Sequence, residues 1–217
     1  MSKSIYSLVL SDGVVDAVDA LARAENLSRS AMINSILARH VAFTTPEMRL
    51  QEILESVERS MNDAFMLAAR PAGGVLSART SLKYRYKPTV RYSVEIFSEN
   101  GRRAGELRVS FRTQNAQLID DLTGFFKCWA GLEQRYIANK LSCDIVYTIS
   151  DGRFTRTLNT PEESVSDEEL GSAVADYMAA FDGAMKEYFT RLPDVNEAEK
   201  AAENHYREQI SKQRVIV

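Results

Sequence analysis

Polar and apolar residues follow several different periods along this chain. The segment Ser4-Ile5-Tyr6-Ser7-Leu8-Val9-Leu10 is rich in β-branched and aromatic residues and too short for a helix, which predicts a strand ended by Ser11-Asp12-Gly13. From there Val14, Val15, Val18, Leu21 and Ala22 recur at helical spacing, with Asp16 and Asp19 on the opposite side. Glu25-Asn26-Leu27-Ser28 reads as a turn with a serine N-cap, and Met32, Ile33, Ile36, Leu37 and Val41 form the apolar stripe of a second helix.

Thr44-Thr45-Pro46-Glu47 has an N-cap threonine and a proline at the first helical position, which predicts a helix running to about Arg70 with Ile53, Val57, Met61, Ala64, Phe65 and Ala68 on its apolar face. Pro71-Ala72-Gly73-Gly74 breaks it and is the expected domain boundary. The period then changes to two. Leu82, Tyr84 and Tyr86 alternate with Lys83, Arg85 and Lys87; Val90, Tyr92, Val94 and Ile96 follow; a turn at Glu99-Asn100-Gly101-Arg102 leads to Leu107, Val109 and Phe111. These predict three antiparallel strands. A helix is expected from about Asn115 to Asn139, and a second hairpin from Cys143 to Ser150 and Arg153 to Leu158 around Asp151-Gly152. A long helix follows from about Ser166 to Leu192, faced by Leu170, Val174, Tyr177, Met178, Phe181, Met185 and Phe189.

The expected architecture is therefore α+β. Residues 1–45 form a strand-helix-helix module, 46–74 a linking helix and boundary, 75–193 a domain of antiparallel strands packed with long helices, and 194–217 a charged helical tail, mobile or ordered by a partner.

The first module cannot be stable alone. A single short strand leaves its edges unpaired, and about 40 residues bury too little apolar surface. A homodimer solves both problems: two strands pair antiparallel into a ribbon and four helices close over its inner face. The element order, the strand ending Leu10-Ser11-Asp12, and the run Asn26-Leu27-Ser28-Arg29-Ser30-Ala31-Met32-Ile33 resemble the ribbon-helix-helix family of the Arc and Met repressors. Residues 75–217 resemble no family.

The resemblance implies a dimeric, sequence-specific binder of double-stranded DNA. Its ribbon enters the major groove while the N-termini of the second helices grip phosphate. Alternation places Tyr6, Leu8 and Leu10 inward, and Lys3, Ile5, Ser7 and Val9 become the candidate DNA-facing residues, with Lys3 reaching the backbone. Of the outward strand positions only Ser7 can hydrogen-bond a base, whereas the family's pattern supplies Arg, Lys, Asn or Gln there; Ile5 and Val9 are left for thymine methyl groups. Ser28, Arg29 and Ser30 offer hydroxyls, a charge and free N–H groups to phosphate. The remaining chain is expected to sense a ligand or bind a protein partner, as a transcriptional regulator requires. The alternatives are an adaptor of plasmid-partition or relaxosome type, and a dimerisation module without DNA.

Composition sharpens this. The chain of 217 residues is 45% hydrophobic and 26% charged, ordinary for a globular protein, with no apolar run of membrane-spanning length and no signal-peptide core, so a cytoplasmic protein is expected. A net charge of −3 requires any DNA site to be a local concentration of positive charge. Arg79 to Lys87, with Arg91, Arg108 and Arg112, form one candidate basic sheet face, diluted by Glu95 and Glu106. Cys128 and Cys143 read as buried free thiols, and His40 and His205 are too scattered for a metal site. No phosphate loop, metal-spaced cluster or nucleophile motif points to an enzyme or a cofactor. The acids Glu162-Glu163 and Asp167-Glu168-Glu169 suit the start of a helix.

Overall fold

The computed structural model describes residues 5–98, 101–141, 143–161, 163–213 and 215–217, and of residues 69–72 the backbone alone. It divides into two compact units, residues 1–48 and 49–217.

In the first unit α1 (Asp12–Ala24) and α2 (Arg29–His40) are joined by a tight turn in which the Leu27 N–H donates to the Ala22 carbonyl at 2.8 Å and Asn26 takes a positive φ of 54°. Asparagine tolerates that left-handed conformation better than most residues, so the turn is sequence-encoded. Its buried apolar cluster contains only Val18, Ala22 and Met32, with Ile33 packed beside them. Residues 5–11 form no helix and no strand. Over residues 5–10 the predicted strand is therefore not formed in the single chain, because a strand exists through ladder hydrogen bonds and no strand among the described residues pairs with this segment.

The next helix, α3 (Pro46–Ser60), is capped by Thr45, whose Oγ1 accepts from the Met48 N–H at 3.2 Å. It ends ten residues before the expected limit of Arg70. The Asn62 side chain accepts from the Ala64 N–H at 3.0 Å, a local bond that competes with helical continuation, and the chain turns into a strand. That strand and its neighbour overturn the boundary expected at Pro71–Gly74. Residues 66–72 and 75–81 form a hairpin, with Gly73 and Gly74 at φ 60° and 81° supplying its turn.

The second unit is built on a six-stranded antiparallel sheet: β1 (Met66–Ala72), β2 (Val75–Ser81), β3 (Thr89–Ile96), β4 (Arg103–Phe111), β5 (Tyr147–Ser150) and β6 (Arg153–Asn159), in the order β1-β2-β3-β4-β6-β5. The mixed α+β class is as expected; the sheet is larger than the sequence suggested. The expected strand over Leu82–Lys87 is instead a loop. Tyr86 and Lys87 have φ of 67° and 43°, and the Leu82 N–H closes it onto the Pro88 carbonyl at 3.1 Å. Tyr86, which in a strand would share a face with Leu82 and Tyr84, is 96% exposed, while Tyr92 is buried.

The inner face of the sheet carries Leu76, Tyr92, Val94, Leu107, Val109 and Phe154, with α4 (Ala116–Tyr136) and α5 (Asp167–Arg191) laying Phe125, Phe126, Trp129, Met178 and Phe181 into the same core. Ser166 and Glu169 form a full capping box at the start of α5. Asp182 on α5 is buried but satisfied: its Oδ1 accepts from Thr80 and Tyr92 on the sheet, and Lys186 pairs with it. Ile53, Leu54 and Val57 of α3 complete this core, and Gly171 of α5 sits so close to α3 that a Cβ there would lie 2.5 Å from that of Ser56.

The charged tail is not a loose appendage. Residues Val195–Ile210 form α6, which packs along α5; Ala198, Ala202 and Tyr206 are buried at four-residue spacing and Val217 is buried behind them. The Tyr206 ring meets Trp129 edge-on, with centroids 5.0 Å apart.

Candidate nucleic-acid interfaces

The residues proposed to read DNA lie in the most exposed part of the first unit. Ile5 and Val9, expected outward, are 100% and 102% exposed, and Tyr6, Leu8 and Leu10, expected inward, are 83%, 57% and 39% exposed, so both sets stand open to solvent in the single chain. Ser7 is exposed, and Lys3 lies outside the described residues. Around them Val14, Leu21, Ile36, Leu37, Val41 and Phe43 also stand exposed. These exposed apolar side chains outnumber the Val18, Ala22 and Met32 of the unit's buried cluster.

At the start of α2, Ser28 acts as the helix cap: its hydroxyl oxygen accepts from the Ala31 N–H at 3.2 Å, and its own O–H remains available to donate. Ser30 is exposed one turn position away. Arg29 is not free. Its Nε and Nη2 donate to the two carboxylate oxygens of Asp19 on α1, each at 2.6 Å, a bidentate pair that spans the two helices. The hydrogen bond from Arg29 holds the Asp19 carboxyl below its ordinary range, and the same bond raises the guanidinium. The sequence marks Asp19 only as a polar-face residue; its partnership with Arg29 follows from the angle between the helices.

In the second unit, the predicted basic residues come together only in part. Direct cross-strand pairing puts Arg79 of β2 beside Arg91 of β3, Arg91 beside Ser110 of β4, and Ser110 beside Arg153 of β6. All lie on the outer face, opposite the buried positions Ala78, Tyr92, Val109 and Phe154. Arg108, one row away, is neutralised by Glu95 at 3.0 Å and by Glu106, and the bond to Glu106 raises its guanidinium. Arg153 is not marked by any pattern in the sequence, because its alignment with Arg91 depends on β6 skipping β5 to pair with β4.

A third polar group is buried. Arg156 on the inner face of β6 and Glu133 on α4 are both 0% exposed and approach to 2.9 Å. Arg156 also lies 4.5 Å from the ring centroid of Tyr177, whose hydroxyl donates to Glu133 at 3.2 Å and accepts from Trp129 Nε1 at 2.8 Å. Burial pushes the Glu133 carboxyl up against the pull of Arg156, and the Glu133 charge keeps Arg156 protonated. A small cavity beside this group is lined by Trp129, Glu133, Tyr177, Tyr206 and Val217. The ion pair and the Tyr177 contacts join β6 to α4 and α5, while Arg156 Nε and Nη1 have no hydrogen-bond partner among the described residues.

Among the described residues no cluster of three or more His, Cys, Asp or Glu is arranged to hold a metal ion, and no helix is long and apolar enough to cross a membrane. Cys128 and Cys143 are half-buried free thiols. In comparisons with known proteins, no family profile, no curated protein and no solved structure matches this chain.

Proposed function

We propose that residues 1–48 are one half of a ribbon-helix-helix dimer and that the protein is a dimeric DNA-binding regulator, with residues 49–217 forming a regulatory or partner-binding domain. The observation that carries this reading is the unpartnered segment Ile5–Leu10, followed by two helices whose own core is Val18, Ala22 and Met32. A second copy of the segment supplies the missing ladder bonds, and the apolar residues left exposed on both helices supply the surface for it to cover. The outward positions Ile5, Ser7 and Val9 then face the major groove, and the capped start of α2, with Ser28 and Ser30, faces phosphate.

The test is sedimentation equilibrium of the full chain together with its binding to fragmented DNA from its own locus at two salt concentrations. A dimer that binds selected fragments and weakens steeply with salt supports the reading. A monomer refutes it. A dimer that ignores DNA supports the second reading, a dimerisation module alone, which is favoured by the apolar outward pair Ile5 and Val9 and by the engagement of Arg29 with Asp19.

A further inference from the structure

We infer that the outer face of the six-stranded sheet is a second DNA-contacting surface, one that holds the phosphate backbones of duplex DNA without reading sequence. It lies wholly within residues 49–217 and goes beyond the ribbon reading.

The first observation is a like-charged pair. Arg79 and Arg91 face one another directly across β2 and β3, an arrangement that destabilises a sheet unless something anionic lies over it. Both are exposed, and no carboxylate among the described residues comes within ion-pair distance of either, or of Arg153 or Arg112. Arg108, by contrast, is compensated by two glutamates. The row Arg79, Arg91 and Arg153 thus lies uncompensated at one end of these strands, while Arg102 and Arg103, also exposed, lie at the other. At the Arg79 end the β2–β3 loop adds the exposed Lys83, Arg85 and Lys87, against Asp151 of the β5–β6 turn and Asp121 of α4, which accepts from the Tyr84 hydroxyl of that loop at 3.2 Å.

The second observation concerns what lies between the cations. Ser77, Ser93, Ser110 and Thr155 occupy the outward positions of the same strands, short hydroxyl donors on a flat surface. No outward position of β2 to β6 carries an aromatic side chain, and the exposed Tyr86 belongs to the β2–β3 loop, so the strands themselves lack the row of stacking platforms on which single-stranded nucleic acid binds. Charge and hydroxyls without rings suit backbone phosphate. Spacing favours a duplex: Arg79 and Arg153 are three strand steps apart, about 14 Å at about 4.8 Å per step, close to the roughly 12 Å width of a major groove. Arg79 with Arg91 would meet one backbone and Arg153 the other.

The experiment uses the full chain and a random-sequence duplex, in the background Ser7→Ala with Val9→Glu so that ribbon contacts are disabled. Affinity is measured across a salt series. We expect salt-dependent binding to persist there, and the triple change Arg79→Ser, Arg91→Ser, Arg153→Ser to weaken it at least tenfold and to flatten the log–log salt slope by about 2.7, at about 0.9 for each phosphate no longer neutralised. The triple change to lysine, which keeps the charge, should keep most of the slope. An unchanged slope in the serine variant with its circular dichroism intact overturns the inference. So does loss of random-duplex binding in the ribbon variant alone, or a preference for a single-stranded oligonucleotide. Arginine-dependent duplex binding in a protein that shows no locus selectivity would refute the ribbon reading and support this one.

Discussion

Arg29, the first residue of α2, donates to both carboxylate oxygens of Asp19 on α1, each at 2.6 Å. A cation at a helix start that resembles a phosphate grip is thus held back by an acid on the neighbouring helix. Under the proposed function, release of Arg29 to phosphate is an exchange of one anion for another, so any contribution to DNA affinity is reduced by the strength of the pair.

Asp19→Asn should therefore tighten binding to DNA of any sequence and steepen the log–log salt slope by about 0.9, the value for one additional neutralised phosphate. Arg29→Ala should have little effect in the presence of Asp19. Equal, unaltered slopes in wild type and Asp19→Asn would remove Arg29 from the interface. The lowered Asp19 carboxyl contributes stability that is present at neutral pH and is lost as pH falls through its folded pKa, so the pair should also loosen in acid.

In the proposed ribbon, Leu8 and Val9 separate dimerisation from DNA contact, because adjacent side chains of a strand point to opposite faces. Leu8→Glu places a charge on the inward face and should convert the dimer to a monomer in sedimentation experiments. Val9→Glu should leave the dimer intact while lowering affinity for DNA. Dissociation by Val9→Glu and not by Leu8→Glu would invert the assignment of faces.

Most helices are legible in the sequence because their apolar residues recur at a period of 3.6 over three or more turns, as in α4 and α5. The region 61–88 is not. Ala64, Phe65 and Ala68 fit the preceding helical stripe, yet pairing of Met66 with Arg79 and Leu67 with Ala78 places the segment in a sheet, a tertiary choice that outweighs local propensity. Leu82, Tyr84 and Tyr86 alternate as a strand would, but only the first two turn toward the core. The tail carries a usable signal in Ala198, Ala202 and Tyr206, small and aromatic residues on one stripe of an otherwise charged helix, hidden by its overall polarity. Arg156 carries one as well, since it shares a period-two face with Phe154 and Leu158; its pairing with Glu133 of α4 is a tertiary contact that no local pattern shows.

Cys128 provides a chemical test of how α6 packs. Burial, reinforced by Glu199 and Glu203, pushes its thiol up to about 11. At pH 8 about 0.1% of such a thiol is ionised, against roughly a quarter of a free one, so alkylation by iodoacetamide should be about 200-fold slower than for a model thiol. Denaturation in urea should restore the ordinary rate. Fast labelling of Cys128 in the folded protein would mean that α6 does not cover it.

His205 on α6 gives the tail a pH dependence. It is half-buried against α5, where a Cβ on Gly183 would come 2.4 Å from its Nε2, and burial lowers its pKa from 6.5 although Glu187 and Glu208 oppose the shift and Lys212 assists it. The unfolded chain then protonates first, so stability present above about pH 6.5 is lost as pH falls through the lower folded value. Melting temperature should decline between pH 7.5 and 5.5 in the wild type, and His205→Asn should flatten that decline. A decline identical in both proteins would assign it to other groups.

Glu133 and Arg156 make the most severe prediction, because they are an opposite-charge pair in which both side chains are fully buried. Glu133→Ala leaves a buried guanidinium uncompensated and should cost about 3–5 kcal/mol, which for a unit of this size lowers the melting temperature by roughly 10 °C or more. Arg156→Met strands a buried carboxylate and should cost a similar amount, reduced where that carboxyl takes up a proton. Replacing both, as Glu133→Leu with Arg156→Met, removes both desolvation penalties together and should recover most of the loss, since apolar substitutes of similar volume often match a buried pair. Thermal melts of the two single variants and the double variant form a cycle that measures the coupling. Strictly additive losses would show that the two charges do not stabilise one another and that Tyr177, through its ring and hydroxyl, compensates each of them separately.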